Sequence, residues 1–322
     1  MLAGATAPVP PVVITEWKVP WGQTRPRDPY LDPQGRVWFV GQEGNYIAYL
    51  EPASGKFKRY EIEANTHPHN LIVDPKGQVW YSGNTNGMIG RLDPATGKVT
   101  RFPMPDASAG DPHTLVFDQH GDIWFTVQQG NFVGKLTVAS GKIQLIRVPT
   151  ANARPYGIGV DPKGRPWFVE FGTNKLGSVD PATFKLTEYK LPDERARPRR
   201  MAITADGRIW YGDYVRGMLG RFDPGTGKFV EWPLPEGASA LPYAMTADDQ
   251  NRLWLVETGP QPNRLVGFDP RSEKFFSETP IAESGGLTVR HMVYDRGTRA
   301  IWFGTDANTI GRARLPDTAP ES

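Results

Sequence analysis

Three of the five histidines in this chain, His69, His113 and His291, lie eleven residues before a tryptophan, at Trp80, Trp124 and Trp302. Imidazole is the side chain best suited to move a proton near neutral pH, and it is also a common ligand for transition metals. Four more residues precede a tryptophan by the same interval: Arg27, Tyr156, Arg199 and Tyr243. Every member of this set can hydrogen-bond and none is aliphatic. Three residues after the same tryptophans come Gly41, Gly83, Val127, Glu170, Asp213, Glu257 and Thr305, so three consecutive units carry an acid. Bases and acids facing one another in a concave site are what proton transfer or metal binding needs. The bland alternative is a water-filled polar channel in which Arg and Glu merely pair.

The tryptophans themselves set the elements that must position these groups. Trp38, Trp80, Trp124, Trp167, Trp210, Trp254 and Trp302 recur every 42–48 residues. A period of that length signals a repeat architecture. Each tryptophan sits in a short apolar run bounded by turn residues, as in Ile123-Trp124-Phe125-Thr126, which reads as a strand. One period holds four short strands, so the chain is expected to be all-β, a seven-bladed β-propeller. Turns such as Asp74-Pro75-Lys76-Gly77 and Asp161-Pro162-Lys163-Gly164 separate the first two strands of a blade, with Pro fixing φ and Gly free to adopt positive φ. Six copies of an outer strand follow blades one to six. The seventh is missing at the C-terminus, and Val13–Val19 supplies it, so the N-terminal strand is expected to close the ring. The implied organisation is a flexible segment 1–12, a propeller over 13–316 and a tail 317–322. In this geometry the first strand starts where the second ends. Both residue sets should then share one face of the ring, with histidines around blades seven, two and three and acids across blades four to six.

Composition narrows the classes. The chain has 322 residues with 37 basic and 35 acidic side chains, for a net charge of +2. That balance leaves no electrostatic footprint for nucleic acid or an anionic membrane. Cysteine is absent, which excludes disulfides, thiolate catalysis and Cys-ligated zinc. No apolar run reaches transmembrane length. The small, Pro-flanked opening 1–8 reads either as the stub of a trimmed secretory leader or as an unstructured start. A periplasmic or secreted location is therefore expected, with a cytoplasmic one as the alternative. The ring is expected to act as a monomer.

The repeat unit resembles that of the streptogramin B lyase (virginiamycin B lyase) family across all seven repeats. The resemblance is carried by Arg154-Pro155-Tyr156-Gly157-Ile158 followed by Trp167-Phe168-Val169-Glu170-Phe171-Gly172-Thr173-Asn174-Lys175-Leu176-Gly177, and by the Gly-Arg endings at Gly90-Arg91, Gly220-Arg221 and Gly311-Arg312. It implies a lyase site shared by two adjacent blades. Pro68-His69 supplies one histidine, and Asp111-Pro112-His113 supplies an acid and the general base. His113 would then take the proton and His69 would hold or polarise the ester. Asp111 and Gln128 occupy the Mg²⁺-ligand positions, Gln128 standing where the family has Glu. The implied reaction opens the ester of a cyclic depsipeptide by elimination, or cleaves another ester or polymer. Two further readings stay open from the residues. One is a binding propeller in which Tyr156, Tyr243, Arg27, Arg199 and Arg200 hold a small-molecule or peptide-like ligand, a glycan or a partner. The other is a transition metal held by His69, His113 and His291. The run Arg195-Ala196-Arg197-Pro198-Arg199-Arg200 is expected at a face loop.

Overall fold

A computed structural model describes residues 12–316; residues 1–11 of the expected flexible segment and the tail 317–322 lie outside the described residues. Seven four-stranded antiparallel sheets form a closed ring, and the first strand of each blade neighbours the first strands of the blades on either side. Blade two is typical, with strands Pro68–Val73, Val79–Gly83, Met88–Leu92 and Val99–Pro103 running from the axis outward. Blade seven combines Val289–Asp295, Ala300–Thr305 and Thr309–Arg314 with Val13–Lys18 from the other end of the chain. That strand pairs antiparallel with Thr309–Arg314, from Val13 opposite Arg314 to Lys18 opposite Thr309, as its sequence predicts. Val12, expected in the flexible segment, is instead buried in the core between blades six and seven.

The sequence builds this blade through one local device. All seven repeating tryptophans are buried, at most 2% exposed. In five blades the indole N–H donates to the Asp that opens the preceding turn, for example Trp38 to Asp32 at 2.7 Å and Trp167 to Asp161 at 3.0 Å. The other carboxylate oxygen of that Asp accepts backbone N–H groups of its own turn, as Asp161 does from Lys163 and Arg165. One side chain thus satisfies the turn and the buried indole together. In blade five Thr204 takes the role with its hydroxyl, at 3.1 Å from Trp210. Blade seven departs: its turn is one residue longer, and the Trp302 indole has no acceptor.

The glycine of the third strand has a steric cause. A Cβ on Gly90 would overlap the Tyr81 ring, and one on Gly177 the Phe168 ring. In blades two, three, four, five and seven the aromatic that follows the tryptophan lies across this glycine; blade six has Leu255 at that position.

Closure is reinforced by side chains. Asn308 donates to the carbonyls of Val19 at 3.2 Å and Trp21 at 2.8 Å and accepts from the Thr24 backbone. Trp17 stacks on Trp302 with centroids 5.6 Å apart. A chain starting at residue 20 loses this strand and exposes a sheet edge. Its thermal midpoint, followed by circular dichroism, is expected to fall by roughly 10 °C or more. An unchanged midpoint would show that closure contributes nothing.

Candidate functional site

The first strand of each blade opens with a break in its ladder. In blade two the pairs Pro68↔Gly83 and Leu71↔Tyr81 bracket a register shift, so His69 and Asn70 leave the regular pairing and turn toward the ring axis. The same shift frees His113 and Thr114, and Tyr156 and Gly157. Bulges re-aim side chains in this way. Two stacked layers result. The outer holds Arg27, His69, His113, Tyr156, Arg199, Tyr243 and Arg290. The inner holds Asp28, Asn70, Thr114, Gly157, Arg200, Ala244 and His291. His113 opens its strand at one end and the Asp118–Gly121 turn follows at the other, so the two lie on opposite faces, as expected.

His291 is corrected by one layer. The longer turn of blade seven pairs Trp302 with Val293, nine residues earlier, whereas Trp80 pairs with Ile72, eight earlier. Counting back eleven from the tryptophan therefore falls one residue short, and Arg290 occupies the outer position.

The outer layer is a packed cluster. The rings of His69 and His113 lie 3.5 Å apart between centroids, and His113 lies 4.1 Å from Tyr156. The hydroxyls of Tyr156 and Tyr243 are in direct contact. Arg199 sits with its guanidinium 3.5 Å from the Tyr243 centroid and 4.4 Å from that of Tyr214, with Phe171 on a further side. Beneath them Asp28 accepts from Arg27 at 2.9 Å and from Asn70 at 2.9 Å, and pairs with Arg200 at 3.4 Å. Thr114 bridges Nδ1 of His113 at 2.8 Å and Arg200 at 3.0 Å. His113 Nε2, His69 Nδ1 and His291 Nδ1 are buried without partners.

Burial, reinforced by the charges of Arg27 and Arg200, holds both His69 and His113 well below the usual imidazole range. His291 is lowered to about 4, chiefly by burial, with Asp28 opposing. Burial alone would raise Asp28, but Arg27, His291, Arg200 and the Asn70 amide keep its carboxyl ionised far below its ordinary value. For Tyr243, burial is outweighed by Arg199, Arg27, Arg200 and Arg290, which draw the phenol downward.

Several expected members lie elsewhere. Glu170, Asp213 and Glu257 are fully buried away from the channel, where they fasten loops and hairpins. Asp213 accepts the backbone N–H groups of Arg197, Val215 and Arg216. Glu257 accepts from the Glu236 backbone at 3.0 Å and pairs with Arg264 at 2.8 Å. Glu170 accepts from Thr173, and burial pushes it up to about 8. The reason is strand geometry: side chains of the second strand alternate onto blade faces, not into the axis. Of the basic run, Arg195 is exposed and Arg197 half-buried at the surface, while Arg199 and Arg200 belong to the channel.

The donor set fits a metal poorly. Asp111 accepts the backbone N–H groups of Gln129 at 2.6 Å and Gly130 at 3.0 Å, so both of its oxygens cap the loop that carries Gln128. It also makes no contact that would raise the His113 pKa. The displaced His291 leaves the three-histidine set split between layers. Among the described residues no group of three or more His, Asp or Glu could hold a metal ion. On the turn face the channel opens into a cavity of about 330 Å³ with apolar walls that include Ile72, Met201 and Val293; His291, Asn70 and Thr114 also line it. Sequence reasoning missed Asp28, Asn70, Thr114 and Arg290. Asp28, Asn70 and Thr114 directly follow a predicted position and Arg290 precedes one, so the signal lay one residue away.

Comparisons place the fold. A profile of the virginiamycin B lyase family matches residues 9–265. A streptogramin B lyase structure superposes with a TM-score of 0.85 at 26% identity, covering 94% of this chain and 98% of that one. Virginiamycin B lyase from Staphylococcus aureus gives 0.85 at 24% identity, over 94% and 99%. A hydrazine synthase structure from Kuenenia stuttgartiensis gives 0.77 at 13%, over 94% and 98%, which shows the shared fold alone. Among curated protein sequences no match is found.

Two buried groups set opposite pH responses. An imidazole lowered in the folded state takes its proton only on unfolding, so its contribution to stability is present above about pH 6.5 and is lost as pH falls toward about 4 for His291. The wild type should therefore lose about 1 kcal/mol per pH unit relative to His291→Gln across that window. A carboxyl raised to about 8 contributes below its unfolded value near 4.5 and loses that contribution as pH rises through 8. Glu170→Gln should gain on the wild type over that rise. Thermal melts from about pH 4.5 to 8.5 read both trends, and parallel curves would refute them.

Proposed function

This chain belongs to the virginiamycin B lyase family, and we propose that it is a carbon–oxygen lyase working by base-catalysed elimination at the outer layer of its channel. The supporting observation is the His69–His113 pair. Both rings are buried, each keeps one nitrogen without a partner, and surrounding charge favours the neutral form that a base requires. His113 is the proposed base. Thr114 holds its Nδ1, which leaves Nε2 as the atom that takes the proton. His69, packed against it at a tilt of 37°, fixes the ring and contacts the substrate carbonyl.

The reaction takes the proton from the carbon next to a carbonyl, and the adjacent carbon–oxygen bond then breaks. Negative charge grows on the carbonyl oxygen. The proposed electrostatic partners are Arg27 and Arg199, each with a buried N–H lacking an acceptor. Mg²⁺ would need Asp111 to release two backbone N–H groups, so no step here depends on it. The substrate is the ring ester of a streptogramin B or a related ester or polymer.

With a streptogramin B as substrate, His113→Gln is expected to lower kcat by roughly 10²–10⁴ while retaining the wild-type circular dichroism spectrum. Because the base stays neutral well below pH 6.5, the wild-type rate should stay level from about pH 8 down to pH 6. The product should carry an unsaturated residue, read by mass spectrometry. A product that has gained water would replace elimination with hydrolysis, and a rate that halves near pH 6.5 would remove His113 as the base.

A further inference from the structure

The centre of the ring gathers more positive charge than it pairs. Among the described residues Arg27, Arg199, Arg200 and Arg290 meet there against two carboxylates. Asp28 pairs with Arg27 at 2.9 Å and with Arg200 at 3.4 Å, and Asp306 pairs with Arg290 at 2.5 Å. Among the described residues, no carboxylate lies within ion-pair distance of Arg199. Its charge rests on the rings of Tyr243 and Tyr214, and its Nε is buried without an acceptor. Arg27 is 3% exposed, reaches Gln42 with one terminal nitrogen at 3.0 Å, and leaves Nη2 buried without an acceptor. Buried guanidinium donors with nothing to donate to are costly. Neighbouring groups register the excess: these arginines disfavour the imidazolium forms of His69 and His113 and favour the Tyr243 phenolate.

We propose that the free donors of Arg27 and Arg199 receive a substrate carboxylate, and that the substrate class is a β-alkoxy carboxylate such as a uronic-acid glycan. This rests on the elimination reading and narrows it. A neutral ester offers one weak acceptor and leaves the excess charge in place. A carboxylate cancels it and matches the planar geometry of guanidinium donors. Taking a proton from the carbon beside a carboxylate adds a second negative charge to the same group, so the reaction itself needs cations at that point. The proton passes to a histidine nitrogen, and the C–H electron pair becomes the new C=C bond. The C–O pair leaves with the oxygen, which takes a proton and departs as an alcohol. The products are an unsaturated uronate and a shortened chain, with no water or oxidant consumed.

The test uses the full chain with an oligogalacturonate and its methyl ester, with binding followed by calorimetry and cleavage by the ultraviolet absorbance of the unsaturated acid. The acid should bind at least tenfold more tightly than the ester. Arg199→Gln should lose that preference, and Arg199→Lys should keep part of it. Equal affinity for acid and ester in the wild type would overturn the proposal even if Arg199→Gln does not fold. So would an Arg199→Gln protein that folds and keeps the preference. Cleavage of a streptogramin B ester without uronate binding leaves the lyase reading standing and sinks the carboxylate site. Preferential uronate binding without cleavage of either compound does the reverse.

Discussion

The bond between a buried indole and the carboxylate six residues before it governs the rest of this molecule. It joins the turn that reverses the chain to the tryptophan at the blade centre, as Asp74 does for Trp80 at 3.1 Å. An indole N–H buried without an acceptor would cost about 1–3 kcal/mol, so the tie favours one turn length over its neighbours. Turn length fixes how the first strand pairs with the second. That pairing decides which two residues fall at the bulge and face the axis. Blade seven shows the dependence by breaking it. One extra turn residue leaves Trp302 without its acceptor, slides the first strand by one, and puts Arg290 in the outer layer where the repeat spacing would place His291.

The axis and the blades use charge differently. In the blades, carboxylates are structural fasteners. Asp32 holds a turn and an indole, and Asp213 and Glu257 hold loops and the strand hairpins. On the axis Asp28 is the carboxylate of the inner layer, surrounded by Arg27, Arg200, Asn70 and, at longer range, His291. The histidines stay neutral because burial and these cations act in the same direction. Protonating both imidazoles, with ring centroids 3.5 Å apart, would add like charges to a cluster that already holds four arginines.

Periodicity made the ring, its closure and most of the outer layer legible. His69, His113, Tyr156, Tyr243, Arg27 and Arg199 share a repeat position, and the structure brings them together. The acids at a second repeat position were misplaced because spacing gives height along the blade and not the direction of a side chain. Glu170, Asp213 and Glu257 sit at the right height and point onto blade faces. Asp111 looked free because a single sequence does not show which backbone N–H groups will claim its oxygens. His291 was displaced by one inserted turn residue, visible as Asp295-Arg296-Gly297-Thr298 but only interpretable once the indole tie is known.

Joining Val13–Lys18 to Thr309–Arg314 adds one pairing of sequence-distant strands to a fold whose other described strand pairs are consecutive hairpins. A chain growing from its N-terminus exposes the closing strand first and its partner last. Until some 300 residues have emerged, that strand is an unpaired edge and the ring is an open arc. Blades one to six can collapse in turn on local hairpins, whereas closure waits for the final strand. The slowest productive step of folding is thus tied to the emergence of Thr309–Arg314, and the hazard in the interval is pairing of free edges between chains.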